Sequence, residues 1–548
     1  MKVGATRGDG PDVKSHVRLV GHPDALSAFV DEGWVTERVS RTCQVGAPNA
    51  DCDVLGAVAG SAPAVNLQFC ERIAKLRALH SALAEVNDPA TELTLGRACA
   101  DVCRSVHLLR TAGHDVSEDA LKEHDEELNS FVCRALGGDL RAGPLDQAAL
   151  SVSQGGLGFR RAVGLALPAF ISSRVEARPY VEHIFASMAS AGVEVPGALA
   201  YYDRQTDAAW TEFKTQLSSD RASLATERLG RARDVAAEQF AAVQRGERDR
   251  PTGAPVGVGQ AADLVVPEFG ADDPEHPSSA SSRRPRLQRS LTIILDEQRL
   301  DDSGVNGRDN VDSRRTHELV HGSVSSEWMW ALDPIQPDHV EADAYVAAVR
   351  LRLGASFSSS PLRCRVCNGR LDEHGVHATC CAPGESTRGH NEVRDAVFDL
   401  ARLADQTSEK ETLGLLDTAP GLRPADVLTS AVSPGRVSAL DVGIAAVEAL
   451  NAGVDCAESM RLRKRQAYSR HLPALEAEGI EDRPLVWSCW GWEHPDTTAV
   501  LTMLARQAAR RRGLPSHKPL LQKTRAQVGA ALARRSAAML RACTPAAF

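Results

Sequence analysis

Residues 364–381 read CRVCNGRLDEHGVHATCC, and the rest of the chain is organised around this stretch. It contains two pairs of residues with two-residue gaps, and such pairs separated by a short loop are typical of tetrahedral zinc bound by thiolate and imidazole. The predicted ligands are Cys364, Cys367, His377 and Cys380. A segment this short buries too little apolar surface to fold alone, so a zinc ion would supply folding free energy. His374 and Cys381 remain alternative ligands, and reduced surface cysteines are the alternative interpretation.

Residues 423–444 read RPADVLTSAVSPGRVSALDVGI, which predicts two β-strands joined by a turn. The turn is expected at Ser433–Arg436, because proline and glycine favour the backbone angles of turns. With a short loop there, Asp426 lies opposite Asp441 on one face of the hairpin. Facing carboxylates repel each other unless a cation lies between them, so the pair predicts a Mg²⁺ site that could activate water. A pair of solvated aspartates is the alternative.

Two neighbouring features could complete such a site. Glu411 lies shortly upstream and is a candidate third carboxylate. A basic helix is predicted to begin at Arg461, and on it Lys464 and Tyr468 are four residues apart and share one face. A lysine beside a metal can orient the attacking water or neutralise charge on the phosphorus centre. Such a basic run is also typical of a solvated helix face or a localisation signal.

A further helix is predicted to begin at His390-Asn391 and to bury an apolar stripe that runs from Val393 to Ala404. His390 could contact phosphate or could cap this helix. Together with the basic helix and the C-terminal arginines, it completes the set of candidate nucleic-acid contacts. These are His390, Arg461, Arg463, Arg465, Arg510, Arg511 and Arg512.

Composition limits the classes of protein to consider. The length of 548 residues predicts several domains, and the formal net charge of −9 argues against a uniformly basic nucleic-acid binder. Residues 501–548 nevertheless carry ten Lys and Arg without Asp or Glu, which indicates a basic tail that binds a polyanion or is simply solvated. Thirteen cysteines in a chain without an apolar leader or membrane-length apolar run predict a soluble, intracellular protein that does not bind membranes.

The rest of the chain is interpreted as helical scaffold and linker. Apolar residues at helical spacing predict a helix from Val65 that breaks at Asn87-Asp88-Pro89, and further helices over Glu92–Leu109 and Glu118–Leu136. A glycine turn at 154–159 then opens another helix. Residues 243–315 are rich in Pro, Gly, Ser and Asp and predict a flexible linker.

Taken together, these motifs resemble the C-terminal half of non-LTR retrotransposon proteins of the early-branching type that carries a restriction-enzyme-like endonuclease. The resemblance rests on the Cys/His segment and on five later elements. These elements are Gly389-His390-Asn391, Arg423-Pro424-Ala425-Asp426, Asp441, Lys464 and Tyr468. The family's Pro-Asp pair is split here by Ala425. Weaker similarity extends upstream to Val54-Leu55-Gly56, Leu108-Leu109-Arg110 and Gly155-Gly156-Leu157-Gly158.

The resemblance implies a multidomain α+β protein that ends in an endonuclease of the PD-(D/E)xK type. The family's metal-binding acids would fall on Asp426 and Asp441, its lysine on Lys464, and an upstream acidic position on Glu411. The implied units are a helical region like the part of a reverse transcriptase that follows the palm (1–242), a flexible linker (243–315), a helical connector (316–360), a zinc knuckle (361–385), the endonuclease (386–500) and a basic helical tail (501–548).

The expected function is therefore nicking of target DNA by a Mg²⁺-dependent, zinc-supported nuclease. Element RNA is a further expected partner, the nucleus is the expected location, and the oligomeric state stays open. Phe29-Val30-Asp31-Glu32 comes close to the aromatic-x-Asp-Asp signature of polymerases, but an acidic pair on a helix is commoner. The polymerase core is thus expected to be absent. The alternative function is a catalytically dead remnant that only binds nucleic acid.

Overall fold

The computed structural model describes most of the chain after residue 60. Before it, four short strands are described between residues 18 and 59, and Phe29-Val30-Asp31-Glu32 lies outside the described residues. The later described ranges are 61–192, 196–246, 287–302, 326–416, 419–421, 423–446, 449, 452 and 455–544.

Helices dominate these ranges, and strands are few. The helices are α1 Ala62–Ala84, α2 Pro89–Cys99, α3 Val106–Ala112, α4 Glu118–Ala135, α5 Ala142–Ala149, α6 Ala162–Ser190, α7 Ala198–Thr215, α8 Ser219–Gln244, α9 Leu287–Asp302, α10 Ala342–Leu353, α11 Ala378–Cys381, α12 Pro383–Ala404, α13 Cys456–Tyr468, α14 Leu472–Ala477, α15 Pro495–Arg512 and α16 Lys518–Cys543. The strands are β1 Arg18–Val20, β2 Gln44–Gly46, β3 Cys52–Val54, β4 Ala57–Ala59, β5 Leu362–Arg363, β6 Arg370–Leu371, β7 Glu409–Lys410, β8 Val427–Thr429, β9 Val437–Ala445 and β10 Ile480–Ser488. Short 3₁₀ turns occur at Val102–Arg104, Val152–Gln154 and Glu327–Trp330.

The fold is mixed α+β, which confirms the predicted class at that level. Its strands form one four-stranded sheet and three two-stranded pairs. Within the described ranges, no helix has both the length and the apolar character needed to cross a membrane.

The N-terminal helices pack on one another and break where the sequence predicts a break. The Asp88 carboxylate accepts a hydrogen bond from the Thr91 N–H at 2.9 Å and so caps α2. The predicted helix Glu92–Leu109 is wrong in extent. The Asp101 carboxylate accepts a hydrogen bond from the Val102 N–H, which ends α2 and starts a separate 3₁₀ turn before α3.

Part of the predicted linker 243–315 is an ordered helix. Leu291 and Leu295 of α9 are buried in one apolar cluster with Phe170 and Phe213 from the preceding helices. The prediction of loose structure is wrong for α9, because its leucines recur every four residues and bury one face. Residues 247–286 and 303–325 lie outside the described residues.

The four-stranded sheet has the order β10-β9-β8-β7 and contains the predicted hairpin. β8 and β9 are antiparallel, and Gly435 takes a φ of 71° in the turn between them. β10 then pairs with β9 in parallel, with Pro484 opposite Asp441. The chain crosses from β9 to β10 through α13 and α14, as a parallel connection requires.

The two faces of this sheet are covered by different helices. Leu440 and Val442 of β9 belong to the apolar cluster formed with α12, α15 and α16. Ala439 and Ala445, whose side chains alternate with these, belong to small apolar clusters with α14 and α13 respectively. Because successive side chains of a strand point to opposite faces, Asp441 lies on the α13 face.

The C-terminal segment is helical, as the sequence predicts, but it is not a tail. Leu532 of α16 packs in the sheet cluster, Ala533 packs with the N-terminal helices and α10, and Leu540 packs beside the Cys/His segment. The alternative of a solvated tail is wrong for α16, because its alanines and leucines bury most of the helix.

Candidate functional site

Three cysteines and one histidine lie together where the sequence predicts a zinc knuckle. This Cys/His cluster consists of Cys364, Cys367, His377 and Cys381, whose ligand atoms all lie within 4.8 Å of one another. The prediction of Cys380 as the fourth ligand is wrong, because its exposed thiol donates to the carbonyl oxygen of His377 at 3.3 Å. The alternative ligand His374 contacts the Gly354 carbonyl oxygen through Nδ1 at 3.0 Å.

Distances within the cluster fit a tetrahedral metal site. Zinc–sulfur bonds of about 2.3 Å at tetrahedral angles place neighbouring sulfur ligands roughly 3.8 Å apart. The Cys364 and Cys381 sulfur atoms are 3.5 Å apart, and Cys367 Sγ lies 3.3 Å from His377 Nε2. Three thiolates and one imidazole are a common structural zinc set. The cluster could therefore bind zinc.

Local backbone turns position the ligands. Asn368 has a φ of 58°, in the left-handed region that asparagine tolerates, and this turns the chain after the first cysteine pair. The Gly369 N–H then donates to Cys367 Sγ at 3.3 Å. The Asp372 carboxylate accepts a hydrogen bond from the N–H of His377 at 2.8 Å and so fixes the start of the second half.

The thiols differ in their electrostatics. Burial raises the pKa of the Cys364 thiol, but hydrogen bonds from the N–H groups of Cys367 and Val366 outweigh it and lower that pKa to about 6. Burial also raises the pKa of Cys381, and that of the nearby Cys543 to about 12. The N–H groups of the turn therefore favour a thiolate in the cluster, and a bound metal ion would favour deprotonation of the other thiols.

A second cluster of polar side chains lies on the sheet. Val427 of β8 pairs with Leu440 of β9, so continuation of this register places Asp426 level with Asp441, as the turn chemistry predicts. Both carboxylates are largely shielded from solvent, with exposed side-chain fractions of 19% and 9%. The cluster formed by Asp426, Asp441, Lys464 and His390 is called the Asp–Lys cluster below.

Lys464 reaches this cluster from α13, which crosses over β9. Its Nζ donates to Asp441 Oδ1 at 2.7 Å. Gly443 makes room for the lysine, because a Cβ there would lie 2.7 Å from Lys464 Cε. The predicted association of the lysine with an aspartate is thus present in the structure.

His390 joins the cluster from α12 rather than from a helix start. The helix begins at Pro383, so the predicted capping role is wrong. His390 Nε2 lies 3.0 Å from the Val442 carbonyl oxygen and 3.3 Å from Asp426 Oδ2, which also accepts the Val442 N–H at 2.7 Å. The hydrogen bond to Asp426 raises the pKa of His390 and favours a charged imidazolium–carboxylate pair.

Asp441 is the less well stabilised of the two carboxylates. Burial raises the pKa of Asp441 to about 6; Lys464 opposes this, while the Asp426 and Asp482 carboxylates add to it. An opposite charge close to a carboxylate favours its ionised form. A further cation would therefore stabilise the ionised Asp441, and this is the property expected of a metal ligand.

Two predicted residues have other contacts. The Glu411 carboxylate is ion-paired with Arg394 and lies 3.7 Å from Arg423, and the Glu411 N–H donates to the Asp426 carbonyl oxygen at 3.1 Å. Tyr468 donates its hydroxyl hydrogen to the Arg423 carbonyl oxygen at 2.9 Å, beside the cluster. Burial first, and then the neighbouring carboxylates, raise the pKa of Tyr468 to about 12 and keep it protonated.

The predicted nucleic-acid contacts are dispersed. Arg461 pairs with Glu458 at 2.7 Å, and Arg463 donates to Met460 Sδ at 3.7 Å. Arg510, Arg511 and Arg512 are exposed at the end of α15, which covers the face of the sheet opposite to Asp441. The structure therefore does not bring these three arginines to the Asp–Lys cluster.

Sequence reasoning missed Asp482, a third carboxylate on the same side of the sheet. It lies on β10, and its Oδ2 is 3.9 Å from Arg465 Nε. The apolar run Leu485–Trp487 that follows it is a signal that could have identified this strand.

No protein-family model and no curated protein matches this chain.

Proposed function

We propose that the protein is a divalent-metal-dependent DNA endonuclease whose catalytic centre is the Asp–Lys cluster and whose Cys/His cluster holds a structural zinc ion. The observation that carries the proposal is the 2.7 Å contact between Lys464 Nζ and Asp441, level with Asp426 on the neighbouring strand. Two carboxylates and a lysine at one end of a hairpin are the groups that metal-assisted phosphodiester hydrolysis requires.

The carboxylates would hold the cation. Among the described residues, Asp426 Oδ1 and Asp441 Oδ2 accept no hydrogen bond, whereas the partner oxygens are held by His390, Val442 and Lys464. Each carboxylate is thus oriented through one oxygen and keeps the other for a ligand. Mg²⁺, which prefers such oxygen ligands, would lower the pKa of a bound water and stabilise the leaving oxygen.

The remaining residues would assist without binding the metal. Lys464 carries its charge on a side chain that lies over Gly443, where it could stabilise a negatively charged phosphate transition state. His390 donates to Asp426 and holds that carboxylate in place. Tyr468, fixed by its bond to the Arg423 carbonyl, would complete the wall of the site.

DNA is favoured as the substrate by the order of the motifs. The Cys/His segment, Gly389-His390-Asn391, the two aspartates and then Lys464 with Tyr468 follow one another as in the retrotransposon endonucleases that the sequence resembles. In this proposal the zinc segment supports the catalytic domain, since Cys364 and Leu371 pack in one apolar cluster with Trp490, just after β10.

The experiment is a nicking assay on supercoiled plasmid with Mg²⁺, with EDTA, and with Asp441→Asn. The amide keeps the size of the side chain but cannot supply the charge that holds the cation. We expect Mg²⁺-dependent nicking by the wild type and a loss of about 10²-fold or more in the variant. DNA affinity, measured by fluorescence anisotropy, should change little.

The matched control is Asp399→Asn, which changes an exposed carboxylate on α12. It should nick at the wild-type rate. Equal nicking by wild type and Asp441→Asn would assign the activity to another site or to contamination. Binding of DNA without nicking, in Mg²⁺ and in Mn²⁺, would favour the alternative function of a nucleic-acid-binding module.

A further inference from the structure

Asp482 is a buried carboxylate that lacks hydrogen-bond donors. Its side chain is 5% exposed, and in the described part of the chain neither of its oxygens has a hydrogen-bond partner. Arg465 Nε lies 3.9 Å from Oδ2, which is beyond hydrogen-bonding distance. Buried carboxylates are normally paired or bound to a metal, since desolvation of an isolated charge is costly.

The strand register places Asp482 beside the proposed catalytic centre. In the parallel pair, Pro484 lies opposite Asp441, and Asp482 lies opposite Ala439. Residues two apart on a strand share a face, so Asp482 and Asp441 are both on the face that α13 covers. One two-residue step along a strand combined with one strand spacing places the two Cα atoms roughly 8 Å apart, which carboxylate side chains and a bound ion can span.

Within the described part of the chain, no basic side chain lies within hydrogen-bonding distance of Asp482. Asp441 and Asp482 share the α13 face of the sheet, and among the described residues the Lys464 side chain donates its hydrogen bond to Asp441. Burial raises the pKa of Asp482, whereas Arg465 and Lys464 oppose the shift without overcoming it. The side chain is thus held next to the site in an environment that a nearby divalent ion would make favourable.

We propose that Asp482 is a ligand of a second divalent cation, bound between Asp482 and Asp441 on the α13 face of the sheet. The inference rests on the proposed nuclease function and deepens it, because it makes the centre a two-metal site in which Asp441 serves both ions. Two ions about 3.5–4 Å apart would act on the attacking and the leaving oxygens of the phosphodiester. Asp482 would then contribute an oxygen ligand that the hairpin alone cannot provide.

The competing explanation is a structural ion pair between Asp482 and Arg465. The two explanations differ in the effect of a neutral side chain on stability without metal. Asp482→Asn removes a buried, poorly compensated charge if the residue is a metal ligand, so the thermal midpoint in EDTA should stay the same or rise. If the residue is a structural partner of Arg465, the same variant should lower it.

The direct test counts bound Mn²⁺ by electron paramagnetic resonance in zinc-loaded protein without DNA. We expect about two Mn²⁺ per chain for the wild type and about one for Asp482→Asn. The matched control is Glu481→Gln on the same strand. Glu481 points to the other face, where its Oε2 accepts from Ser433 Oγ at 2.7 Å, so this variant should keep both ions.

Each result decides for or against the second site. One Mn²⁺ or none in the wild type would overturn the inference, and so would two in Asp482→Asn. Asp482→Ala repeats the count if the asparagine variant fails to fold. Nicking that depends on Asp441 in a protein with a single Mn²⁺ would leave the proposed function intact and overturn only this inference. Two ions without nicking would support the site and overturn the proposed function.

Discussion

Cys380 and Cys381 are adjacent in the chain, but only Cys381 contributes to the Cys/His cluster. Both lie in the single turn of α11, where successive side chains are about 100° apart. Cys381 therefore points to the sulfur of Cys364, and Cys380 points to solvent. The spacing of the sequence predicts a knuckle here but cannot choose between the two thiols, because that choice depends on the rotation of the helix.

The first residue-scale prediction concerns these two thiols. Cys381→Ser should remove a zinc ligand and reduce bound zinc from about one ion per chain to a small fraction after dialysis against a weak chelator. Cys380→Ser, its matched control, should retain zinc at the wild-type level. Metal analysis by mass spectrometry measures both. Loss of zinc in Cys380→Ser, with retention in Cys381→Ser, would contradict the ligand set in the structure.

At the scale of elements, the hairpin was predicted and the strand beside it was missed. The Pro-Gly turn and the β-branched residues around it indicate β8 and β9, and their register follows from the turn. β10 contains Pro484, which argues against a central strand. The strand tolerates it because β10 is at the edge of the sheet. Asp482 was missed for this reason, since its place on the sheet depends on a long-range parallel pairing.

The loop after α12 is attached to the end of β8 by one carboxylate. Asp405 accepts hydrogen bonds from the N–H of Thr407 and the N–H of Ser430, both at 2.9 Å, and from hydroxyls of the same two residues. Burial raises the pKa of Asp405, but these bonds outweigh it and hold the pKa well below its usual value.

The element-scale prediction follows from this contact and its pH dependence. Because the folded pKa is depressed, the stabilisation is fully present above the unfolded pKa of about 3.9 and is lost as the pH falls through the folded value. Asp405→Asn should lower the free energy of unfolding by about 1–3 kcal/mol at pH 7. In urea unfolding at several pH values, the difference in the free energy of unfolding between the variant and the wild type should become smaller only below about pH 4. The control variant Asp399→Asn, at an exposed position, should have the same free energy of unfolding as the wild type. A difference between Asp405→Asn and the wild type that does not depend on pH would contradict a stabilising role of the ionised Asp405.

At the scale of the whole molecule, α16 connects parts that the sequence separates. The ten positive charges after residue 500 predict a tail, but several of them are used inside the fold. Arg525 pairs with Glu493 at 2.7 Å, and Arg534 pairs with Glu392 at 2.9 Å. Charge counting could not reveal this, because the acidic partners are supplied by distant segments. The helix consequently contributes side chains to three apolar clusters, one with the N-terminal helices, one with the Cys/His segment and one with the sheet.

The whole-molecule prediction is that these parts unfold together. Leu532 is 2% exposed where α16 packs on the sheet, so Leu532→Ala should cost about 2–5 kcal/mol. Because the same helix also packs on the N-terminal helices and beside the zinc segment, loss of helical circular dichroism and zinc release should occur at one urea concentration. In the variant, both transitions should move to lower urea by the same amount.

Leu514→Ala, at a 41% exposed position, is the matched control and should change stability by less than about 0.5 kcal/mol. Zinc release at a distinctly lower urea concentration than the loss of helix would show that α16 does not make these parts one cooperative unit.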